Sequence, residues 1–341
     1  MSVLSELQAT IEDMVDDRRG ILAMDESNPT MAKRFAAIAV ESTEASRRQY
    51  RSLLLSTDGL GEHISAAILF EETLGQCSDD GRPLADIAWQ QKIVPGIKVD
   101  KGKGPLPGSP GDMISYGLDG LAERLAGYKA QGARFAKWRE VYPIGHANPR
   151  PLGLAANAEM LARYAAVCQQ LGIVPIVEPE VLMDGNHSQQ RCKDVIENVQ
   201  HAVFHALHQH GVLLEYMILK PSMVTAGKDC PEQASCEQVA DDTLQVLRRT
   251  VPAAVPSINF LSGGQSPEQA TANLNAINQR RGNAPWQLSL SYGRALQQPA
   301  LKAWQGSADN AAACQQALLK RARLNSLARR GQYQPAMEQL D

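Results

Sequence analysis

The sequence predicts a closed (β/α)8 barrel, the TIM-barrel class, on three observations. Eight short apolar runs alternate with helix-period segments along 341 residues, with no long linker between them. Charged residues gather at the C-terminal ends of those runs, the end at which barrels of this class build their active sites. The first run-to-helix turn, Asp25-Glu26-Ser27-Asn28, has none of the glycines that a doubly wound open sheet usually carries there. Length alone would allow two domains, but barrels of more than about 250 residues are common. The reading is one domain over 1–341, with 331–341 as a C-terminal tail.

The elements follow in order. Leu4, Leu7, Ile11, Met14 and Val15 recur at helical spacing within 2–17. The first run, 20–26, ends in Asp25 and Glu26, and helical periodicity follows over 29–56. The second run, 64–70, meets Glu71-Glu72, and the turn 79–83 leads to the third, 93–100. The loop 101–112 is rich in glycine and proline, and 118–129 is helical. Run four, 134–139, ends in cations, and helix 157–171 leads to run five, 173–180, which ends in acids. Helix 189–210 precedes the sixth run, 216–223, in which Lys220-Pro221 closes a buried apolar stretch. Helix 236–250, run seven at 257–264, helix 267–279 and run eight at 287–294 complete the alternation. Helices over 294–304 and 308–327 close the chain.

Composition excludes several classes of function. Apolar residues are 44% and charged residues 21%, an ordinary globular balance, and the net charge of −3 comes with no long basic run. Nucleic acid and anionic membranes are therefore not the expected partners. No apolar stretch reaches the ~18 residues that span a bilayer, and the N-terminal segment has neither the cationic nor the apolar region of a signal peptide. The six cysteines form no CxxC pair, which fits reduced thiols in a cytoplasmic protein.

A lone lysine at a strand end is satisfied by snorkelling to water. Here Asp25, Glu71, Lys98, Lys137, Arg139, Glu178, Glu180, Lys220 and Arg294 all keep to the same end of their runs. Scattered surface charge would not do so, and a closed barrel brings those ends to one face. Lys137 with Arg139, and Glu178 with Glu180, are two apart and share a face of their strand. Lys137, Glu178 and Lys220 are expected on three adjacent strands, ~4.8 Å apart.

These residue types suit carbonyl chemistry. A lysine adds to a carbonyl only as the neutral amine. A second ammonium ~5 Å away, at an effective dielectric of ~20, disfavours the charged form by about 3 kcal/mol. Lys137 could supply that, with partial burial adding to it and an ionised Glu178 opposing it. Loss of the hydroxyl as water then needs a general acid, for which Glu178 is the candidate. Glu180 could favour the protonated form of Glu178 by like-charge repulsion. Cleaving the bond beyond the α-carbon needs a base, for which Asp25 is the candidate. A plain ion-pair network closing the barrel mouth is the alternative for this cluster.

An anion signal stands apart from the lysine. Ser262-Gly263-Gly264 and Gly293-Arg294 fall at the ends of runs seven and eight, where many barrels bind phosphate. Glycine N–H groups can approach an anion and arginine adds a two-pronged donor. Ser27, Arg34, Lys98 and Arg139 could hold a second anion on the opposite rim. His201, His205 and His208 share a helical face at zinc-like spacing, but on a crossover helix away from the strand ends, and no HExxH motif occurs. No metal site is expected. Lys101-Gly102-Lys103-Gly104 lacks the P-loop pattern and reads as a surface loop.

The chain closely resembles the class I, Schiff-base fructose-bisphosphate aldolases over nearly its whole length, from Gly20 to Leu327. The most specific segments are Gly96-Ile97-Lys98-Val99-Asp100-Lys101-Gly102, Phe135-Ala136-Lys137-Trp138-Arg139 and Val174-Pro175-Ile176-Val177-Glu178-Pro179-Glu180. Equally specific are Leu219-Lys220-Pro221, Phe260-Leu261-Ser262-Gly263-Gly264-Gln265-Ser266 and Ser291-Tyr292-Gly293-Arg294-Ala295-Leu296. The resemblance implies a metal-free lyase that cleaves fructose 1,6-bisphosphate to two triose phosphates and runs the reverse. It implies Lys220 as the imine-forming lysine, Glu178 as the acid and base of water loss, and Lys137 as the ammonium beside it. It implies Asp25 as the base for the C4 hydroxyl. Ser262, Gly263, Gly293 and Arg294 match the surroundings of the C1 phosphate, and Ser27, Arg34, Lys98 and Arg139 the C6 phosphate end. A homotetramer is implied as well.

One departure concerns the tail. Animal members of the family end in a tyrosine that assists proton transfer at C3, whereas this chain ends Glu338-Gln339-Leu340-Asp341. Tyr333 matches an internal position before that tail and is not given the role. The same chemistry on sedoheptulose bisphosphate or fructose 1-phosphate is the alternative among enzymes. A catalytically silent binding protein on this fold is the alternative of another class, against which the intact Lys220, Glu178, Lys137 and Asp25 argue.

Overall fold

A computed structural model describes residues 2–339. Ten strands occur in chain order: β1 (Gly20–Met24), β2 (Ile64–Leu69), β3 (Val94–Lys98), β4 (Lys103–Pro105), β5 (Met113–Ser115), β6 (Phe135–Tyr142), β7 (Val174–Val181), β8 (Ile218–Leu219), β9 (Ser257–Phe260) and β10 (Gln287–Tyr292). Eight of them close a parallel barrel in the order β1-β10-β9-β8-β7-β6-β3-β2, and β4 with β5 forms a separate two-stranded hairpin. The eight runs of the sequence are the eight barrel strands, and the expected (β/α)8 class is the observed one.

Alternation along each strand divides the core in two. Ile21, Ala23, Ala66, Ile68, Val94, Phe135, Val174, Ile176 and Ile218 form a cluster inside the barrel, joined by Leu7 and Met14 of the helix Val3–Met14. Leu22, Met24, Leu69, Trp138, Val177, Leu219, Leu288 and Leu290, of opposite parity, pack outward against the helices. The helix Val3–Met14 therefore stoppers the N-terminal end of the barrel, where Ser65 Oγ donates to the Met14 carbonyl at 2.6 Å. Gly96 is required inside: a Cβ there would run into the Phe135 ring, which fills the space from β6. Following the inward parity upward, the apolar layers give way to Lys98, Lys137, Arg139, Glu178, Glu180 and Lys220. The barrel thus carries a dry floor and a charged mouth on the same faces of the same strands.

Some elements differ from the sequence reading. The helical stretch 29–56 is two helices, Asn28–Ala36 and Glu44–Leu55. Ala39 sits at φ 55° between them, and Thr43 caps the second with its side chain. The loop 101–112 contains β4 and leads into β5. Glu71 begins a short helix, Glu71–Leu74, and pairs with Lys101 at 2.6 Å rather than standing on a strand.

Within 331–339, Tyr333 and Glu338 tie the chain back to the helices around the barrel. Tyr333 is buried, donating its N–H to Asn275 Oδ1 at 2.9 Å and its hydroxyl to Glu338 at 2.9 Å. Glu338 in turn accepts two bonds from the buried Arg321, at 2.6 and 2.5 Å. A buried guanidinium left short of its carboxylate is costly. Deleting 334–341 is therefore expected to cost about 2 kcal/mol and lower the thermal midpoint by a few degrees. Turnover per folded molecule is expected to stay within about twofold, and a loss of two orders of magnitude would show that the tail does catalytic work.

Candidate active site

A cavity of 870 Å³ opens at the C-terminal mouth of the barrel. It is lined by Asp25, Ser27, Arg34, Lys98, Lys137, Arg139, Glu178, Glu180, Lys220, Ser262, Gly263, Gly293 and Arg294. The site residues read from the sequence therefore share one hollow. The polar groups at its base are buried: Lys137 and Lys220 are each 3% exposed and Glu178 is 4%.

These groups form a chain of alternating charge. Lys220 Nζ lies 3.1 Å from Glu178 Oε1. Glu178 Oε2 lies 3.2 Å from Lys137 Nζ, which is 2.6 Å from Asp25 Oδ2. The register explains the reach. Lys220 follows β8, and its N–H donates to the Val177 carbonyl, so its side chain starts level with Glu178. Lys137 starts one pleat lower, opposite Ile176, while Arg139 is the residue opposite Glu178. Only the long Lys137 side chain spans the barrel interior to Asp25, just beyond β1. The three residues lie on three adjacent strands, as expected from the sequence, and the register staggers them, as barrel shear requires.

Each ionisation has a local cause. Burial pushes Asp25 up, but the charges of Lys137, Lys220 and Lys98 outweigh it and hold the carboxyl well below the usual carboxylate range. Burial pushes Lys137 down, and Asp25 and Glu178 more than reverse this, holding it well above the usual lysine range. Lys137 is thus a fixed ammonium. Lys98 is lowered by burial against the pull of Asp100, whose carboxylate is 2.6 Å away. Glu180 accepts from Arg139 Nη1 at 2.9 Å. Burial opposes the Arg139 charge, and Glu180 and Glu178 raise it above its usual range.

Two rims of the cavity carry glycine turns, helix N-termini and arginines. Ser262, Gly263 and Gly264 follow β9, the two glycines at φ 62° and 142°, conformations that a side chain would strain. Gly293 is the N-cap of the helix Arg294–Trp304, whose first turn faces the cavity with Arg294 exposed at its edge. Across the mouth, Ser27 is the N-cap of the helix Asn28–Ala36, and Arg34 on that helix pairs with Glu26 Oε1 at 2.6 Å. Gln297 Nε2 donates to the same Glu26 oxygen at 2.8 Å.

Sequence reasoning missed several lining residues. Thr30 and Lys33 share the helix Asn28–Ala36 with Arg34, and Lys101 and Asp100 follow β3. Ser291 lines the cavity with a buried hydroxyl that has no partner among the described residues. The alternation Leu288-Ser289-Leu290-Ser291 carried the signal, since its leucines belong to the outer core. His201, His205 and His208 are exposed on the outside of the helix Gln189–Gln209. Among the described residues, no group of three or more His, Cys, Asp or Glu is arranged to hold a metal ion. Likewise no described helix is long and apolar enough to cross a membrane.

Chemically, the mouth offers an amine, a carboxyl group able to pass a proton to or from it, and a second carboxylate kept ionised. A permanent cation lies between the two carboxyl groups.

Comparison with known proteins finds the same family throughout. The family model described as fructose-bisphosphate aldolase class-I matches residues 6–341. The chain is 51% identical over 331 residues to the probable fructose-bisphosphate aldolase class 1 of Xanthomonas campestris, covering 97% of this chain and 99% of that one. It is 53% identical to the fructose-bisphosphate aldolase 1 of Toxoplasma gondii, covering 97% and 92%. With the chloroplastic fructose-bisphosphate aldolase of rice the identity is also 53%, covering 96% and 84%. Among solved structures, the fructose-bisphosphate aldolase of Plasmodium falciparum, in complex with TRAP and a small-molecule inhibitor, superposes with a TM-score of 0.96. It is 50% identical, over 97% of this chain and 96% of that one.

Proposed function

The chain belongs to the class-I fructose-bisphosphate aldolase family of lyases, and on that premise we propose how it works. It cleaves fructose 1,6-bisphosphate reversibly to dihydroxyacetone phosphate and glyceraldehyde 3-phosphate through an imine on Lys220. The observation that carries this reading is the contact chain Lys220–Glu178–Lys137–Asp25, with separations of 3.1, 3.2 and 2.6 Å.

The Lys220 amine adds to the C2 carbonyl of the open-chain sugar and gives a carbinolamine. Glu178 gives a proton to the C2 hydroxyl, which leaves as water. The resulting C=N⁺ is an electron sink. Asp25 takes the proton of the C4 hydroxyl and the C4 oxygen becomes an aldehyde carbonyl. The C3–C4 electron pair moves toward the iminium to form an enamine, and glyceraldehyde 3-phosphate leaves. Protonation at C3 and hydrolysis, with Glu178 acting in the reverse sense, release dihydroxyacetone phosphate. Lys137 stays charged throughout and stabilises negative charge on the two carboxyl groups as protons move. The covalent imine supplies the electron sink, so neither metal nor cofactor enters the proposal.

Ser262, Gly263, Gly293 and Arg294 are proposed to bind the C1 phosphate, and Ser27, Arg34, Lys98 and Arg139 the C6 phosphate. Two cationic rims favour a bisphosphate over a monophosphate. Cleavage of fructose 1,6-bisphosphate, sedoheptulose 1,7-bisphosphate and fructose 1-phosphate in excess chelator tests this. Both bisphosphates are expected to exceed fructose 1-phosphate in kcat/KM by at least about tenfold, a difference of about 1.4 kcal/mol in transition-state binding. Equal values for the monophosphate would remove the second phosphate site, and loss of activity in chelator would remove the metal-free route. The family resemblance further leads us to propose a cytoplasmic homotetramer. Unlinked cysteines support a reducing compartment, and exposed Tyr116, Leu152 and Leu213 offer apolar surface for a partner copy.

A further inference from the structure

Glu140 is a buried carboxyl group that the reaction above leaves unused. It follows Arg139 on β6 and faces the opposite way, out of the barrel, and its exposure is 0%. Among the described residues it has no ion-pair partner. It accepts instead from two N–H donors: Trp138 Nε1 at 2.8 Å and the Ser115 backbone N–H at 3.0 Å.

The topology gives those bonds a purpose. β3 pairs with β6 only as far as Lys98↔Lys137. Beyond that point the β3-facing edge of β6 has no barrel strand beside it, although this is the stretch that carries Arg139. The hairpin β4–β5 covers the gap through Ser115. The Ser115 hydroxyl donates to the Arg139 carbonyl at 2.6 Å, and its N–H donates to the Glu140 carboxylate. The same hairpin continues from Lys101 and Gly102, which line the cavity, and is tied to them by the Lys101 N–H to Tyr116 carbonyl bond at 2.8 Å.

We propose that the Glu140 carboxylate is a positioning residue. By clamping Ser115 it fixes the Arg139 backbone and the Lys101–Ser115 hairpin at the end of the site that receives the substrate's distal phosphate. This rests on the assignment of Arg139 to that phosphate. The two donors reach different oxygens of Glu140, and the negative charge of the carboxylate strengthens both bonds. Protonation removes that charge assistance and turns one oxygen into a hydroxyl with less acceptor capacity, so the clamp loosens.

The surroundings set where that happens. On β6, Lys137 and Arg139 point away into the barrel. From the end of β3, Asp100 faces Glu140 as a like charge, itself paired with Lys98. From the hairpin, Lys103 is exposed, and Asp112 is engaged with Ser109 and Asn148. The buried face of the helix Pro151–Gln170 presents Asn157, Tyr164 and Cys168 and no charge. Burial pushes the Glu140 carboxyl up to about 7, against the bonds from Trp138 and Ser115 that favour the anion. Its folded value is raised, so the stability linked to it is present below its ordinary value of 4.5 and falls as pH rises to about 7. The clamp runs the other way: it tightens as the group ionises.

The test compares the intact enzyme with Glu140→Gln, Ser115→Ala and Arg139→Ala, using fructose 1,6-bisphosphate and fructose 1-phosphate at about pH 6 and about pH 8. At the higher pH, Glu140→Gln is expected to raise KM for the bisphosphate about tenfold, with kcat and the monophosphate KM within about twofold. It should also lack the part of the wild-type rise in bisphosphate KM toward pH 6 that exceeds the substrate's own titration. Ser115→Ala should show a smaller rise with the same selectivity. If Glu140→Gln folds poorly, hydrogen exchange in the wild type decides: protection of the Ser115 amide should drop between about pH 8 and about pH 6 relative to barrel amides. The proposal is overturned if Arg139→Ala raises the bisphosphate KM and Glu140→Gln does not. An equal loss with both substrates in Glu140→Gln overturns it too. If Arg139→Ala itself fails to discriminate the substrates, the phosphate assignment falls, and the clamp's role in binding falls with it.

Discussion

Replacing Lys220 by alanine is expected to lower kcat for fructose 1,6-bisphosphate cleavage by about five orders of magnitude while the fold persists. The size of the loss follows from the absence of a substitute at the base of the cavity. Lys137 is the nearest other amine along the contact chain, but Asp25 at 2.6 Å and Glu178 at 3.2 Å keep it protonated. An ammonium has no lone pair to add to a carbonyl. Lys98 is spent on Asp100, to whose carboxylate and carbonyl it lies at 2.6 and 2.7 Å. Stability should survive, because Glu178 retains Lys137 as a partner. Lys220→Arg is expected to be equally inactive, since guanidinium remains protonated. A residual rate above about 1% of wild type in either variant would mean that another nitrogen carries the chemistry.

The second large effect is expected from Glu178→Gln, with kcat falling by about three orders of magnitude and KM changing far less. Glutamine keeps the shape but can neither give a proton to the departing hydroxyl nor take one back. It also removes the negative charge between two amines. Two ammonium groups ~5 Å apart at an effective dielectric of ~20 repel by about 3 kcal/mol. That repulsion favours the neutral, nucleophilic form of Lys220, so the carbinolamine should still form but lose water slowly, and single-turnover experiments should show the slow step before carbon–carbon cleavage. Wild-type kcat in Glu178→Gln would exclude it as the acid.

The barrel was legible in the sequence because its signal is local and repeated. Runs such as Ile173-Val174-Pro175-Ile176-Val177 are too apolar and too short for surface helices, and the charges that end them sit at one end. The inward parity that places Lys137 and Arg139 together is a period-2 rule that needs no tertiary knowledge. What was not legible depends on distant partners. The hairpin pairs Lys103 with Ser115 and Pro105 with Met113, three-residue strands around a glycine- and proline-rich turn with no alternation to betray them. The engagement of Glu180 with Arg139 depends on barrel shear, which sets Val141, not Arg139, opposite Glu180. The break between the helices Asn28–Ala36 and Glu44–Leu55 occurs without glycine or proline, at an alanine in a conformation that residue type rarely adopts. Glu140, one residue past run four, carried no signal in the sequence. Only the hairpin folded over it turns it into a buried group.

Borohydride reduction in the presence of dihydroxyacetone phosphate, followed by peptide mass mapping, tests most directly whether Lys220 is the imine-forming nitrogen. The expected result is a single reduced adduct on the peptide containing Lys220, formed equally well in chelator and absent from Lys220→Ala. An adduct on Lys137 or Lys98 instead, or full cleavage activity with no adduct at all, would contradict it.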